Sequence, residues 1–190
     1  EVVETLLPLA LELAEESSYG AEVPPFRDAA WGYPFDSQYP ELRQACESAI
    51  CSSVAKVIKG SPRQLDEVIS DLRGRRSYFS NKILLRIFTA GAEQFADLAL
   101  SVLEDETWRF RCGHSDSSYW IARCLVGAIA TRLSDSRRRD LENLVLGYRS
   151  TWEQTESGMK AFGDAVHTLA GAIPRNLLSE DGQKKIAELE

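Results

Sequence analysis

The sequence lacks the motifs that bind nucleotides or carry out the common hydrolytic reactions. It contains no GxxxxGKS or GxxxxGKT phosphate loop, no GxGxxG turn, no HExxH helix and no GxSxG nucleophile elbow. Only two histidines are present, His114 and His167, and His114 stands directly beside Ser115 and Asp116. Adjacent residues cannot form a catalytic triad, because its roles need side chains that converge from separate elements. We therefore expect no enzyme activity and no bound cofactor in this segment.

Cysteine is scarce, and its four copies show no CxxC pair. Cys112 and Cys124 with His114 come nearest to a zinc set, but a fourth ligand of the usual kind is missing. The alternative is that Cys46, Cys51, Cys112 and Cys124 are reduced, half-buried thiols. We favour this alternative, which indicates a cytoplasmic protein.

Long apolar runs and an excess of positive charge are absent as well. No run approaches the roughly 20 apolar residues that a membrane span needs, so we expect no membrane association. A formal net charge of −7 and a pI near 5.0 argue against a nucleic-acid surface along the whole chain, although they leave room for a local basic patch.

Helical periodicity runs through most of the chain, and no segment shows a convincing strand, so the sequence predicts an all-α protein. Residues 1–16 form a predicted helix in which Pro8 marks either a kink or a true start near Leu7. Leu7 widens an apolar stripe that we expect to be buried, formed by Val2, Val3, Leu6, Leu9, Ala10 and Leu13. Residues 17–39 contain several prolines, glycines and aromatic residues and are predicted to be an ordered loop pinned by its rings.

Residues 77–105 read as two amphipathic helices that reverse at Gly91. Pro40, Ser77, Ser117 and Ser157 are predicted to start helix pairs, at spacings of 37, 40 and 40 residues. Further start signals are Ser61–Pro62, Ser134 and Ser179, while Gly60 and Pro174 are stop signals. A period near 40 predicts an α-solenoid of antiparallel hairpins, HEAT-like rather than TPR-like, and an irregular bundle is the alternative. We expect residues 1–190 to form one such repeat domain. Because the chain starts at Glu1 and already looks helical there, we also expect it to be a fragment of a longer chain.

Two tryptophans and two basic groups are the candidates for partner binding. Trp108 and Trp152 lie in predicted connectors and are possible anchors, whereas Trp120 is expected in the core or a seam between repeats. The basic candidates are Arg75 and Arg76 in one connector, and Arg137 and Arg138 at a helix start. They would contact a phosphate or an acidic partner, unless they are simply solvated surface charges.

Two passages carry a family resemblance. Residues 83–134 read as a hairpin, a short loop, an aromatic pair and a helix that closes on Leu133–Ser134. The second passage is a YR-x-x-W-E step, an AIP helix end, an LSE-x-G start and an IAELE tail, formed by Tyr148, Arg149, Trp152, Glu153, Ala172, Ile173, Pro174, Leu178, Ser179, Glu180, Gly182 and residues 186–190. Both resemble the helical-repeat region that follows the ATPase module in large bacterial STAND NTPases, the class that includes the antiviral AVAST proteins.

The resemblance implies a non-catalytic α-solenoid that acts as a scaffold or protein sensor. Its partners would be a protein ligand, in the antiphage members a phage protein, and the other domains of a parent NTPase. ATP hydrolysis would then lie outside these residues. One alternative is a free-standing helical-repeat adaptor that mediates protein–protein interaction. Another is an enzyme with an all-α active site, which would need carboxylates or His114 to converge in a deep pocket.

Overall fold

The structure is a computed structural model, and it describes residues 2–16, 18–19, 27–28, 45, 49–50, 52–53, 62–113, 119–150 and 164–189. Within these residues the protein is helical apart from one short strand pair, which confirms the predicted all-α class. The chain divides into two compact units, residues 1–91 and residues 92–190. The single repeat domain and the period near 40 residues stay predictions.

Residues 1–91 contain three described helices and the strand pair. The elements are α1 (Val2–Glu16), β1 (Ser18–Tyr19), β2 (Arg27–Asp28), α2 (Pro62–Gly74) and α3 (Tyr78–Ala90). β1 and β2 are antiparallel, with Ser18 opposite Asp28, and they fall in the predicted aromatic-rich loop, where no strand was expected. The rest of that loop lies outside the described residues, as does Pro40; residues 45, 49–50 and 52–53 are helical, and Ile50 is buried.

Helix α3 forms the centre of the first unit. It packs against α1, α2 and β2, and nearly all of its residues from Phe79 to Phe88 are buried, including the polar Ser80 and Asn81. A helix buried on every side needs apolar residues all round rather than along one stripe. Residues 83–88 supply most of these apolar side chains, and the buried Ser80 nearer the start of the helix donates its hydroxyl to the Ser77 carbonyl at 2.8 Å.

Helix α1 buries a side that lies roughly a third of a turn around the helix from three leucines of the predicted stripe. Leu7, Ala10, Leu11 and Ala14 are buried, whereas Leu6, Leu9 and Leu13 are exposed, so the sequence prediction for these three leucines was wrong. The helix runs from Val2 to Glu16 with Pro8 inside it, and it does not start near Leu7. The periodicity was compatible with either side, because the leucines at 7 and 11 form a second stripe, which is buried in a helix that packs against α3 and β2.

Residues 92–190 contain five described α-helices and two short 3-10 helices. They are α4 (Ala92–Asp105), a 3-10 turn (Thr107–Phe110), α5 (Trp120–Ala130), α6 (Asp135–Gly147), α7 (Asp164–Ala170), a second 3-10 turn (Arg175–Leu177) and α8 (Glu180–Ala187). Helix α4 packs against α5 and α6, α5 against α6 and α7, and α7 against α6 and α8. The main contacts therefore join helices one or two places apart in the chain.

Serine caps start three of the described helices, α3, α6 and α8, as the sequence predicts. The Oγ atoms of Ser77, Ser134 and Ser179 accept hydrogen bonds from the backbone N–H groups of Ser80, Arg137 and Gly182. Each cap satisfies a donor that the first helical turn cannot bond internally. The predicted starts at Ser117 and Ser157 lie outside the described residues.

Candidate protein-binding surfaces

The outer side of α1 carries an apolar ridge formed by Leu6, Leu9 and Leu13, which we call the leucine ridge. The three residues are 38%, 58% and 48% exposed. Spacings of three and four residues place them on one side of the helix. Single exposed leucines are ordinary on protein surfaces, whereas a contiguous row on one helix is typical of an interaction site.

An acidic groove lies between α1 and α2. Glu15, Asp66, Glu67 and Asp71 line it together with Ser70, Gly74 and Arg75, and its volume is about 780 Å³. Arg75 contributes the only positive charge among these lining residues, and its guanidinium pairs with Glu15 at 2.9 Å and with Asp71 at 3.1 Å. Although burial by itself lowers the pKa of Arg75, the hydrogen bonds and charges of Asp71 and Glu15 outweigh it and raise that pKa above its usual value.

The basic residues predicted for partner binding are mostly engaged within the chain. Arg75 is held by the two ion pairs above, whereas Arg76 is exposed. Arg137 of α6 reaches α4, where its guanidinium bonds Glu104 at 3.1 Å and Ser101 at 3.3 Å, and it also pairs with Asp140 at 3.0 Å. The hydrogen bond to Glu104, followed by the hydrogen bond to Asp140 and the charges of both carboxylates, raises the pKa of Arg137 despite an opposing effect of burial.

Arg138 closes the turn between α5 and α6. Its Nε donates to the Ala130 carbonyl at 2.8 Å, and its Nη2 donates to the Leu133 carbonyl at 2.9 Å. These carbonyls lie at and just beyond the end of α5, where helical partners run out, so the side chain acts as a C-terminal cap. A third bond joins Nη1 to Asp135 at 2.8 Å. A role of Arg137 or Arg138 in partner binding stays a prediction.

Among the tryptophans, Trp120 differs from its predicted setting, whereas Trp108 lies in a connector as predicted. Trp108 is half-buried, with the guanidinium carbon of the fully buried Arg109 4.4 Å from its ring centroid, and Arg109 also pairs with Glu106. Trp120, expected in the core, is 44% exposed and has Arg123 beside its ring. Trp152 lies outside the described residues.

A buried carboxylate joins α6 to the start of α8, and sequence reasoning missed it. Glu142 is 4% exposed and accepts hydrogen bonds from the backbone N–H of Ser179, at 3.0 Å, and from the Ser179 hydroxyl. A Cβ atom at Gly182 would overlap the same carboxylate. Packing at the start of α8 therefore explains the serine and the glycine of the LSE-x-G pattern. The serine caps α8, and the glycine leaves room for Glu142.

Other residues of the resemblance also have packing roles. Tyr148 is buried and contacts the rings of Phe110 and Tyr119 at centroid distances of 5.0 and 6.2 Å. Gly127 of α5 lies against Ala172, whose carbonyl oxygen would be 3.1 Å from an added Cβ atom. These positions stabilise the packing of helices and carry no reactive chemistry.

Chemical groups that hold metals are not clustered in the described part of the chain. No set of three or more histidine, cysteine, aspartate or glutamate side chains is placed to bind an ion there. Cys112 is buried and Cys124 exposed, both as free thiols, while His114 lies outside the described residues. Among the same described residues, no helix has the length and apolar character that crossing a bilayer requires.

Comparison of the chain with protein-family models, with curated proteins and with solved structures finds no match.

Proposed function

We propose that this chain is a non-catalytic α-solenoid segment that recognises a protein, and that it belongs to a larger STAND-type NTPase of antiphage defence. The packing order of residues 92–190 carries the proposal. Contacts between helices one and two places apart are what a stack of hairpins produces, since each hairpin then touches only its neighbours. Stacks of this kind present extended surfaces that suit protein ligands.

The positions of the buried and partly buried ionic groups support a scaffold role. The buried or partly buried ionic groups Arg109, Arg138 and Glu142 bond helix ends and connectors, where they fix the packing. The parent class rests on the resemblance of residues 83–134 and 148–190. Fold and packing do not themselves give a function, so the parent class needs its own test.

The proposal is tested in two steps. The purified chain is expected to hydrolyse no ATP, and removal of residues 1–190 from the parent protein is expected to abolish its response to ligand while the ATPase module still binds nucleotide. A parent that responds normally without these residues would overturn the proposal. A reading frame with no phosphate-loop motif would instead support a free-standing adaptor.

A further inference from the structure

We infer that the outer face of α1 is a docking surface for an amphipathic helix with an apolar stripe and flanking lysine or arginine residues. That the occupant belongs to a protein follows from the proposed function, whereas its shape and charge follow from α1 itself. The starting observation is that α1 has two apolar sides and that the first unit covers one of them. Leu7 and Leu11 are 3% and 1% exposed, against 58% for Leu9.

The geometry of the leucine ridge fits a helix. Leu6, Leu9 and Leu13 occupy positions i, i+3 and i+7, so they form a row along the helix axis. Such a row packs into the groove between corresponding rows of a second helix. Over the 15 residues of α1 the row is long enough for about two turns of contact.

The charge of the side chains on α1 favours a partner helix whose apolar stripe is flanked by basic residues. Helix α1 contains four glutamates and no lysine or arginine. Glu12 lies one turn from Leu9, is exposed, and has no cation beside it among the described residues. Glu15 and the acidic groove lie at the opposite edge of α1, and none of the three ridge leucines lines that groove, so it does not flank a helix docked on the ridge. A lysine or arginine beside the partner's apolar stripe would therefore meet the exposed carboxylate of Glu12 at the edge of the ridge.

The same charges argue against a second copy of this chain. Two α1 helices placed ridge to ridge would bring Glu12 and its neighbours near the same acidic side chains of the other copy. Like charges across an interface disfavour association, since they remain unpaired while water is removed around them. A basic amphipathic helix has no such conflict.

The test uses the whole chain and two synthetic helical peptides of about 18 residues, roughly 27 Å long. Both carry leucine at i, i+3 and i+7 positions; one has lysine flanks and the other glutamate flanks. Fluorescence anisotropy of the labelled peptide measures binding. The lysine-flanked peptide is expected to bind, and the glutamate-flanked peptide to bind at least tenfold more weakly.

Substitutions locate the binding. The triple variant Leu6→Ser, Leu9→Ser, Leu13→Ser is expected to weaken binding of the lysine-flanked peptide at least tenfold, and Glu12→Gln to weaken it a few-fold with a smaller dependence on salt. Trp120→Ser is the matched control, because it removes an exposed apolar side chain beside a cation and should leave binding unchanged. Circular dichroism checks that the triple variant keeps its helices.

Three results would overturn the inference: binding unchanged in the triple variant, equal binding of both peptides, or a dimer of the free chain that the triple variant abolishes. If the lysine-flanked peptide binds through the ridge while the parent still responds without residues 1–190, the proposed function fails and the docking surface stands. If deletion of residues 1–190 abolishes the parent's response to ligand while the triple variant binds the lysine-flanked peptide as well as the wild-type chain does, the docking surface fails and the proposed function stands.

Discussion

The two units use the outer sides of their helices differently. In residues 92–190, side chains of α6 reach its neighbours: Arg137 bonds α4, Arg138 caps α5, and Glu142 bonds the start of α8. In residues 1–91, α1 contributes the Glu15–Arg75 ion pair and leaves the leucine ridge exposed. Polar bonds between helices fix how the helices pack, whereas an uncovered apolar row favours further association. Under the proposed function, the second unit would therefore act as the scaffold and α1 would carry the recognition surface.

The largest expected effect contrasts the two sides of α1. Leu11→Ala should lower the free energy of unfolding by about 2–5 kcal/mol, because it leaves a cavity in a packed core. Leu9→Ala should change it by less than about 0.5 kcal/mol, because the side chain is largely in water. Urea denaturation measures both. Equal losses at the two positions would mean that the ridge is covered.

The next effect concerns the carboxylate between α6 and α8. Glu142→Ala should lower the free energy of unfolding by about 2–3 kcal/mol, because it removes the two hydrogen bonds by which its buried carboxylate joins α6 to Ser179. Gly182→Ala should be destabilising in the wild-type chain, since its Cβ atom displaces the same carboxylate.

The double variant sharpens this second prediction. With Glu142 already replaced, Gly182→Ala should become neutral or stabilising by up to about 1 kcal/mol, because alanine favours the helix more than glycine does. Additive effects of the two substitutions would contradict the proposed contact.

A smaller effect separates the two neighbouring arginines of α6. Arg138→Ala should cost about 1–2 kcal/mol, because it removes hydrogen bonds to two backbone carbonyls. Arg137→Ala should cost less than about 1 kcal/mol, since its side chain is 30% exposed and its ion pairs are screened by solvent. Thermal denaturation at low and high salt compares them, and only the Arg137 variant should lose its effect in salt. The opposite order would show that the helix-end cap is unimportant.

The smallest effect compares two serine caps. Ser134→Ala should cost about 1 kcal/mol, the usual contribution of a helix N-cap. Ser179→Ala should cost more, because its hydroxyl also donates to Glu142. Chemical denaturation of the two variants gives the difference, and a larger loss at Ser134 would contradict it.

Local signals in the sequence predicted local structure well. The serine caps at Ser77, Ser134 and Ser179 and the helix end at Gly91 were all recognisable, because a cap or a helix end depends on residues a few positions apart. The all-α class followed from the helical periodicity for the same reason.

Features that depend on distant residues were not predictable. Periodicity gave α1 two apolar sides but could not say which one the fold would bury, so the ridge was predicted to be buried. Trp120 was placed in the core by the same pattern and is exposed. Glu142 looked like any helical glutamate, since its partner Ser179 lies 37 residues further along the chain.

The most direct test of the recognition surface is methyl NMR of the whole chain with labelled leucines, titrated with the lysine-flanked peptide. The largest shifts are expected at the methyl groups of Leu6, Leu9 and Leu13, with small changes at the leucines of residues 92–190. Shifts concentrated in residues 92–190, or none on α1, would contradict a docking surface on this helix.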